Sequence, residues 1–168
     1  AKVEMTADIT NLALASVRPA TVDEVRAAAE GQTLTIVEDE FGGQYVYADR
    51  KDGTFANGGT ANFADAVLTL NRITPGDKVS FNVVGDNTSD IVIQYRYVIE
   101  CVEGKELMRG LNISVAGVTY EALASYTSGW KTLTPGTDIT PVSVVVEFPV
   151  TAGSEFKGLS TSIKLTVE

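Results

Sequence analysis

Residues 72–100 read RITPGDKVSFNVVGDNTSDIVIQYRYVIE. Thr74-Pro75-Gly76-Asp77 has proline second and glycine third, the composition of a type II turn. Directly after it, Val79, Phe81 and Val83 alternate with Lys78, Ser80 and Asn82. Asp86-Asn87-Thr88-Ser89-Asp90 forms a polar corner. Ile91, Ile93, Tyr95, Tyr97 and Ile99 then alternate with Val92, Gln94, Arg96, Val98 and Glu100. Period-two alternation is the pattern of a strand with one buried face. The stretch therefore predicts a turn, a strand, a corner and a second, longer strand. It holds no set of residues suited to catalysis, so its order serves a surface rather than a reaction.

The same pattern recurs outward from this block. Towards the N-terminus, Val3, Met5, Ala7 and Ile9 share one face, and Lys2, Glu4, Thr6 and Asp8 share the other. Residues 11–19 are less regular. Residues 34–37 and 44–48 read as short strands around Phe41-Gly42-Gly43, a hairpin turn. Residues 62–71 read as one strand. Towards the C-terminus, residues 111–115 read as a strand and residues 119–126 as a helical turn. Thr134-Pro135-Gly136 repeats the Pro-Gly turn. Val142, Val144, Val146, Phe148 and Val150 alternate, and so do Leu159, Thr161, Ile163, Leu165 and Val167.

A helix is expected over about residues 22–30. Thr21 is placed to cap it and Glu24 stands three residues on, which makes a capping box. Ala27, Ala28 and Ala29 favour the helix and Gly31 supplies a left-handed stop. Val22, Val25 and Ala29 are expected to face a core. Eight or more strands with one early helix predict an all-β, jelly-roll-like antiparallel two-sheet sandwich. No linker interrupts the chain, so residues 1–168 are read as a single domain.

Composition narrows the function. The chain has 168 residues, is 44% hydrophobic and carries a net charge of −9. Such acidity repels phosphate backbones and anionic bilayers, so nucleic acid is not an expected partner. No run of apolar residues is long enough to span a membrane. There is no histidine, which removes the commonest general base and the commonest metal ligand. The single cysteine, Cys101, forms no intramolecular disulfide and reads as a small buried hydrophobe. Ala1 in place of Met fits a processed N-terminus as well as a trimmed one.

The residues 61–100, SVVVEFPV at 143–150 and STSIKLTVE at 160–168 resemble the TasA and camelysin-like proteins secreted by Gram-positive bacteria. In that family a strand leads to a Pro-Gly-Asp turn, a strand carrying an aromatic residue, an Asn-containing corner and a long strand. The resemblance implies a jelly-roll fold and a structural role as a secreted subunit of an extracellular fibre or biofilm matrix at the cell surface. It also implies a homopolymer in which the N-terminal strand of one subunit completes the sheet of the next. The helix and hairpin between the first strand and Ala61 depart from the family pattern. That departure leaves open a monomeric adhesin or carbohydrate-binding module of the same fold. A terminal strand with no adjacent hairpin partner must find an edge. Residues 1–10 are accordingly the expected donor strand, with Val3, Met5, Ala7 and Ile9 as the donated side chains.

Candidate chemistry is sparse. The camelysin branch implies a metallopeptidase, but a chain without histidine has no His-Glu-x-x-His helix, so no peptidase and no other enzyme is expected. Glu38-Asp39-Glu40 and the 86–90 corner are oxygen-rich. Calcium takes six to eight oxygens in an ordered loop, and neither run has that spacing, so both read as solvated turns. No carboxylate pair is marked out for glycosidase chemistry. No cofactor is expected. Tyr45 with Tyr47, and Tyr95 with Tyr97, are read as core-edge pairs with hydroxyls reaching solvent, the alternative being a stacking surface.

Overall fold

The computed structural model describes residues 7–85, 91–121, 125–137, 139–152 and 159–167. The strands are β1 (Ala7–Pro19), β2 (Val37–Glu38), β3 (Gln44–Arg50), β4 (Thr60–Ala64), β5 (Val67–Asn71), β6 (Asp77–Gly85), β7 (Ile93–Tyr95) and β8 (Tyr97–Glu103). They continue with β9 (Asn112–Val115), β10 (Val118–Glu121), β11 (Ser125–Thr127), β12 (Lys131–Leu133), β13 (Val142–Glu147) and β14 (Ser160–Val167). Among the described residues two helices, α1 (Val22–Ala29) and α2 (Lys105–Met108), accompany the strands. A seven-stranded sheet has the order β10-β9-β13-β6-β1-β3-β2, a five-stranded sheet the order β11-β8-β14-β5-β4, and β12 pairs with β7. The paired strands are antiparallel. From β5 onwards the chain passes repeatedly between the two large sheets, which gives a jelly-roll-like sandwich.

Alternation builds the core. Along β6 every second residue from Asp77 to Gly85 is buried. Val79, Phe81 and Val83 meet Val144 and Val146 of β13 and, from the other sheet, Ile99, Ile163 and Leu165 in one apolar cluster. Phe81 and Phe148 are 2% and 0% exposed. Cys101 is buried and donates to the Glu103 carbonyl at 3.1 Å. The Pro-Gly turn forms as expected: Gly76 has φ +95° and the Asp77 amide donates to the Thr74 carbonyl at 3.1 Å. A Cβ on Gly76 would run into Val17, so only glycine fits.

Several expectations are corrected. Residues 62–71 are not one strand but the hairpin β4–β5, reversed at Asp65 and Ala66 with φ +51° and +62°. Residues 91–100 are not one strand either. The chain breaks at Arg96, because β7 pairs with β12 whereas β8 pairs with β11 and β14. Residues 119–121 and 125–126 are strand rather than helical turn. Ala116 and Gly117, at φ +51° and +85°, reverse the chain so that Val118 lies opposite Val115. The irregular stretch 11–19 is the body of β1, with a register shift between Thr10 and Ala13 and Asn11 at φ +56°.

The helix α1 has the expected capping box, and Gly31 follows it at φ +81°. Its expected core face is not used. No residue of α1 is buried, and Val22 is 74% exposed. Arg18 instead donates two 2.8 Å hydrogen bonds to Glu24, tethering the helix to β1 through its polar side. That guanidinium, with the Thr21 amide next, holds the Glu24 carboxyl down at about 2.

Candidate assembly surfaces

β1 is held unevenly. Its C-terminal half, Leu14–Pro19, lies opposite Tyr45–Arg50 of β3. On the other side Ala7–Thr10 lie opposite Asn82–Gly85 of β6. Among the described residues no strand covers the outer edge of residues 7–13. Ile9 is half-buried against the core, and Leu12 is 39% exposed. Of the four expected donor side chains, Ala7 and Ile9 thus stand in β1 beside the chain's own β6. Val3 and Met5 lie outside the described residues.

The register also defines the two ends of the seven-stranded sheet. Ala7, Gly85 and Val142 lie towards one end; Ser16, Asp77 and Glu147 lie towards the other. The β2–β3 hairpin projects past the second end, since Tyr45 lies opposite Pro19, three residues beyond Ser16. Its tip is tightly built. Asp39 Oδ1 accepts from the amides of Phe41 at 2.9 Å and Gly43 at 2.7 Å, and Oδ2 accepts from the Tyr45 hydroxyl at 3.0 Å. The Gly43 amide, with smaller help from Phe41 and Tyr45, holds the Asp39 carboxyl below its ordinary range. A Cβ on Gly43 would lie 2.7 Å from Asp39 Oδ2. The turn presents Phe41 to solvent at 94% exposure, between the exposed Glu40 and the glycines.

At the opposite end the two sheets part around a cleft of about 490 Å3. Tyr95 and Tyr97 belong to its lining but are buried, with ring centroids 5.7 Å apart at 89°. Tyr97 donates its hydroxyl to the Thr140 carbonyl at 2.9 Å, and burial pushes its phenol up. Ala116, Pro141 and Ser143 also line it, and Lys131 is the one charge among the described lining residues. Beside the cleft the Arg96 guanidinium lies 4.4 Å over the Trp130 ring, which is 55% exposed. The tyrosine hydroxyls expected to reach solvent are therefore turned to protein partners: Tyr97 to Thr140, Tyr45 to Asp39, and Tyr47 to Glu147.

Among the described residues, the buried pairing of the Ser16 hydroxyl with the Asp77 carboxylate, at 2.9 Å, is the arrangement that most resembles catalytic machinery. Ser16 is 4% and Asp77 3% exposed, so no substrate reaches them. Asp77 also accepts from the Thr74 amide at 2.9 Å, and Ser16 accepts from the Ala56 amide at 3.0 Å. Burial raises the Asp77 carboxyl against the pull of these hydrogen bonds. The group is a clamp that joins the Pro-Gly turn, β1 and the loop after β3. Among the described residues no three His, Cys, Asp or Glu side chains gather as a metal site. The Asp39 carboxylate is used by its own turn, and the 86–90 corner lies outside the described residues.

Sequence reasoning did not find the cleft. Its lining comes from β7, β8, β12, the β9–β10 turn, and the start of β13 with the loop before it, which only the fold brings together. No helix of the described residues is long and apolar enough to cross a membrane. No family model matches the chain, and no curated protein matches it. Among solved structures it is similar to the secreted serine protease VesC from Vibrio cholerae, at 8% identity and a TM-score of 0.33, over 99% of this chain and 47% of that one. The chain thus spans about half the length of that protease, and a likeness this slight carries no inference about activity.

Proposed function

We propose that this chain is a structural subunit of an extracellular fibre or matrix, without catalytic activity, assembling by β-strand addition through its N-terminal segment. The observation that supports the reading is the uneven hold on β1. Among the described residues, the segment Ala7–Thr10 is paired along one edge only, and Ile9 is half-buried. The register shift between Thr10 and Ala13 separates it from the half fixed by β3. Such an irregularity is a natural pivot. The ladder that residues 7–10 make with β6 has the same chemistry as one made on an open edge of a second copy, so changing partners costs little net hydrogen bonding.

Deleting residues 1–10 tests the reading. The shortened protein is expected to keep its circular dichroism and cooperative melt but to form no fibres in electron micrographs. Fibres that persist, or a deleted protein that unfolds, place the segment in its own sandwich and overturn the proposal. A second reading, a monomeric carbohydrate-binding adhesin, is favoured by the exposed Trp130 ring next to the cleft. Dispersed monomers that bind a glycan array would support it.

A further inference from the structure

We infer that the Phe41 tip of one copy inserts into the cleft beside Lys131 of the next, so that subunits join end to end. The inference rests on the fibre reading and names a second contact within it. Single exposed apolar side chains are common on soluble proteins and alone mean little. Phe41 differs in how it is held. Its backbone is fixed by the Asp39 carboxylate, Gly42 sits at φ +80°, and the ring is 94% exposed. With the backbone already ordered, Phe41 gives up only side-chain rotamer freedom on entering a pocket, and aromatic anchors of this kind dominate interface energetics.

The receiving site is on the same molecule and at its other end. The cleft holds about 490 Å3, ample for a phenyl ring; Tyr95 and Tyr97 are buried beneath it, so an entering ring meets Ala116, Lys131, Thr140 and Pro141 of its lining. Charge favours this occupant. Glu38 and Glu40 flank the tip and are exposed, and among the described lining residues of the cleft the one charge is Lys131. In a chain of net charge −9, an acidic knob facing a basic cleft wall is a local exception to mutual repulsion. Knob and cleft lie at opposite ends of the sheet, so the contact is heterologous. A heterologous contact that does not close on itself continues as a filament. One side chain in one cleft buries far less than the roughly 1,200–2,000 Å² of a stable interface. Docking therefore orients subunits that strand addition holds, and each contact is needed by the other.

Mixing experiments separate the two contacts. F41A loses the knob and T140W fills the cleft; both positions are exposed and Thr140 meets Tyr97 only through its backbone carbonyl, so both variants are expected to melt as the parent does. Each variant alone is expected to raise the concentration for self-association by tenfold or more in sedimentation velocity. Mixed in equal amounts, they have one intact knob and one intact cleft per pair and are expected to give a 1:1 dimer that grows no further. E40K and K131E are each expected to weaken association, and the double variant to recover it. If the parent chain polymerises and F41A polymerises equally well, the docking inference is overturned while strand addition stands. A parent chain that stays monomeric up to millimolar concentration overturns both.

Discussion

Asp77 opens β6 with three hydrogen bonds to its two oxygens, from Ser16, the Thr74 amide and the Thr74 hydroxyl. The turn composition was legible in Thr74-Pro75-Gly76-Asp77. The Ser16 partner was not, because it lies 61 residues away and reaches Asp77 only through the β1–β6 pairing. Phe81 and Phe148 are the opposite case, since alternation alone placed both in the core and both are buried. Truncation of either to Ala is expected to cost about 3–5 kcal/mol through lost transfer energy and the cavity left behind. That is a large share of the roughly 5–15 kcal/mol that holds a domain together. Urea unfolding checks it, and a loss under about 1 kcal/mol at either site would contradict the burial. Phe41 shows the limit of composition as a guide. The glycines around it predicted a turn, but nothing in the sequence said that the ring would be left in water.

At the scale of elements, strands were legible wherever a single partner set served the whole run. β6 lies between β1 and β13 and reads as an unbroken alternation. The run from 91 to 100 keeps the same alternation across a break at Arg96, because Tyr95 and Tyr97 are both buried although they belong to different sheets. Periodicity reports burial, not pairing. Helix α1 was legible from its caps, but its burial was not, since the capping box is a local device and packing is not. The β4–β5 turn was hidden for a different reason. It places Asp65 and Ala66 in left-handed geometry without a glycine, and alanine has no turn signature. Left-handed backbone costs a non-glycine residue roughly 1–2 kcal/mol. Glycine at 66 removes that cost and adds about 0.5–1 kcal/mol of unfolded-state entropy. Ala66→Gly is therefore expected to stabilise by about 0.5 kcal/mol net, a rise of roughly 1–2 °C in Tm by calorimetry. A fall in Tm would show that the Ala66 side chain makes packing contacts worth more than the strain.

At the scale of the whole molecule, the all-β sandwich was legible because turn residues and alternating runs recur along most of the chain. The cleft and the opposed positions of tip and cleft were not, since they follow from which strands run beside which. Charge is the property of the whole chain that bears most directly on assembly. Two copies each carrying −9 repel at every approach. Opposing this, the contact proposed between Glu40 and Lys131 is a surface pair, worth about 0–1 kcal/mol. The pair acts only once the copies touch, whereas the repulsion acts over a Debye length, about 30 Å at 0.01 M salt and about 8 Å at 0.15 M. Raising the salt therefore screens a long-range barrier shared by many charges while weakening one short-range attraction. The first effect is the larger, so fibre growth is expected to accelerate between 0.01 and 0.15 M sodium chloride, read as the half-time of light scattering at fixed protein concentration. K131E, which removes the local attraction and deepens the repulsion, is expected to shift that response to higher salt. Growth that slows as salt rises would mean that complementary charge at the junction, rather than net charge, governs how these subunits meet.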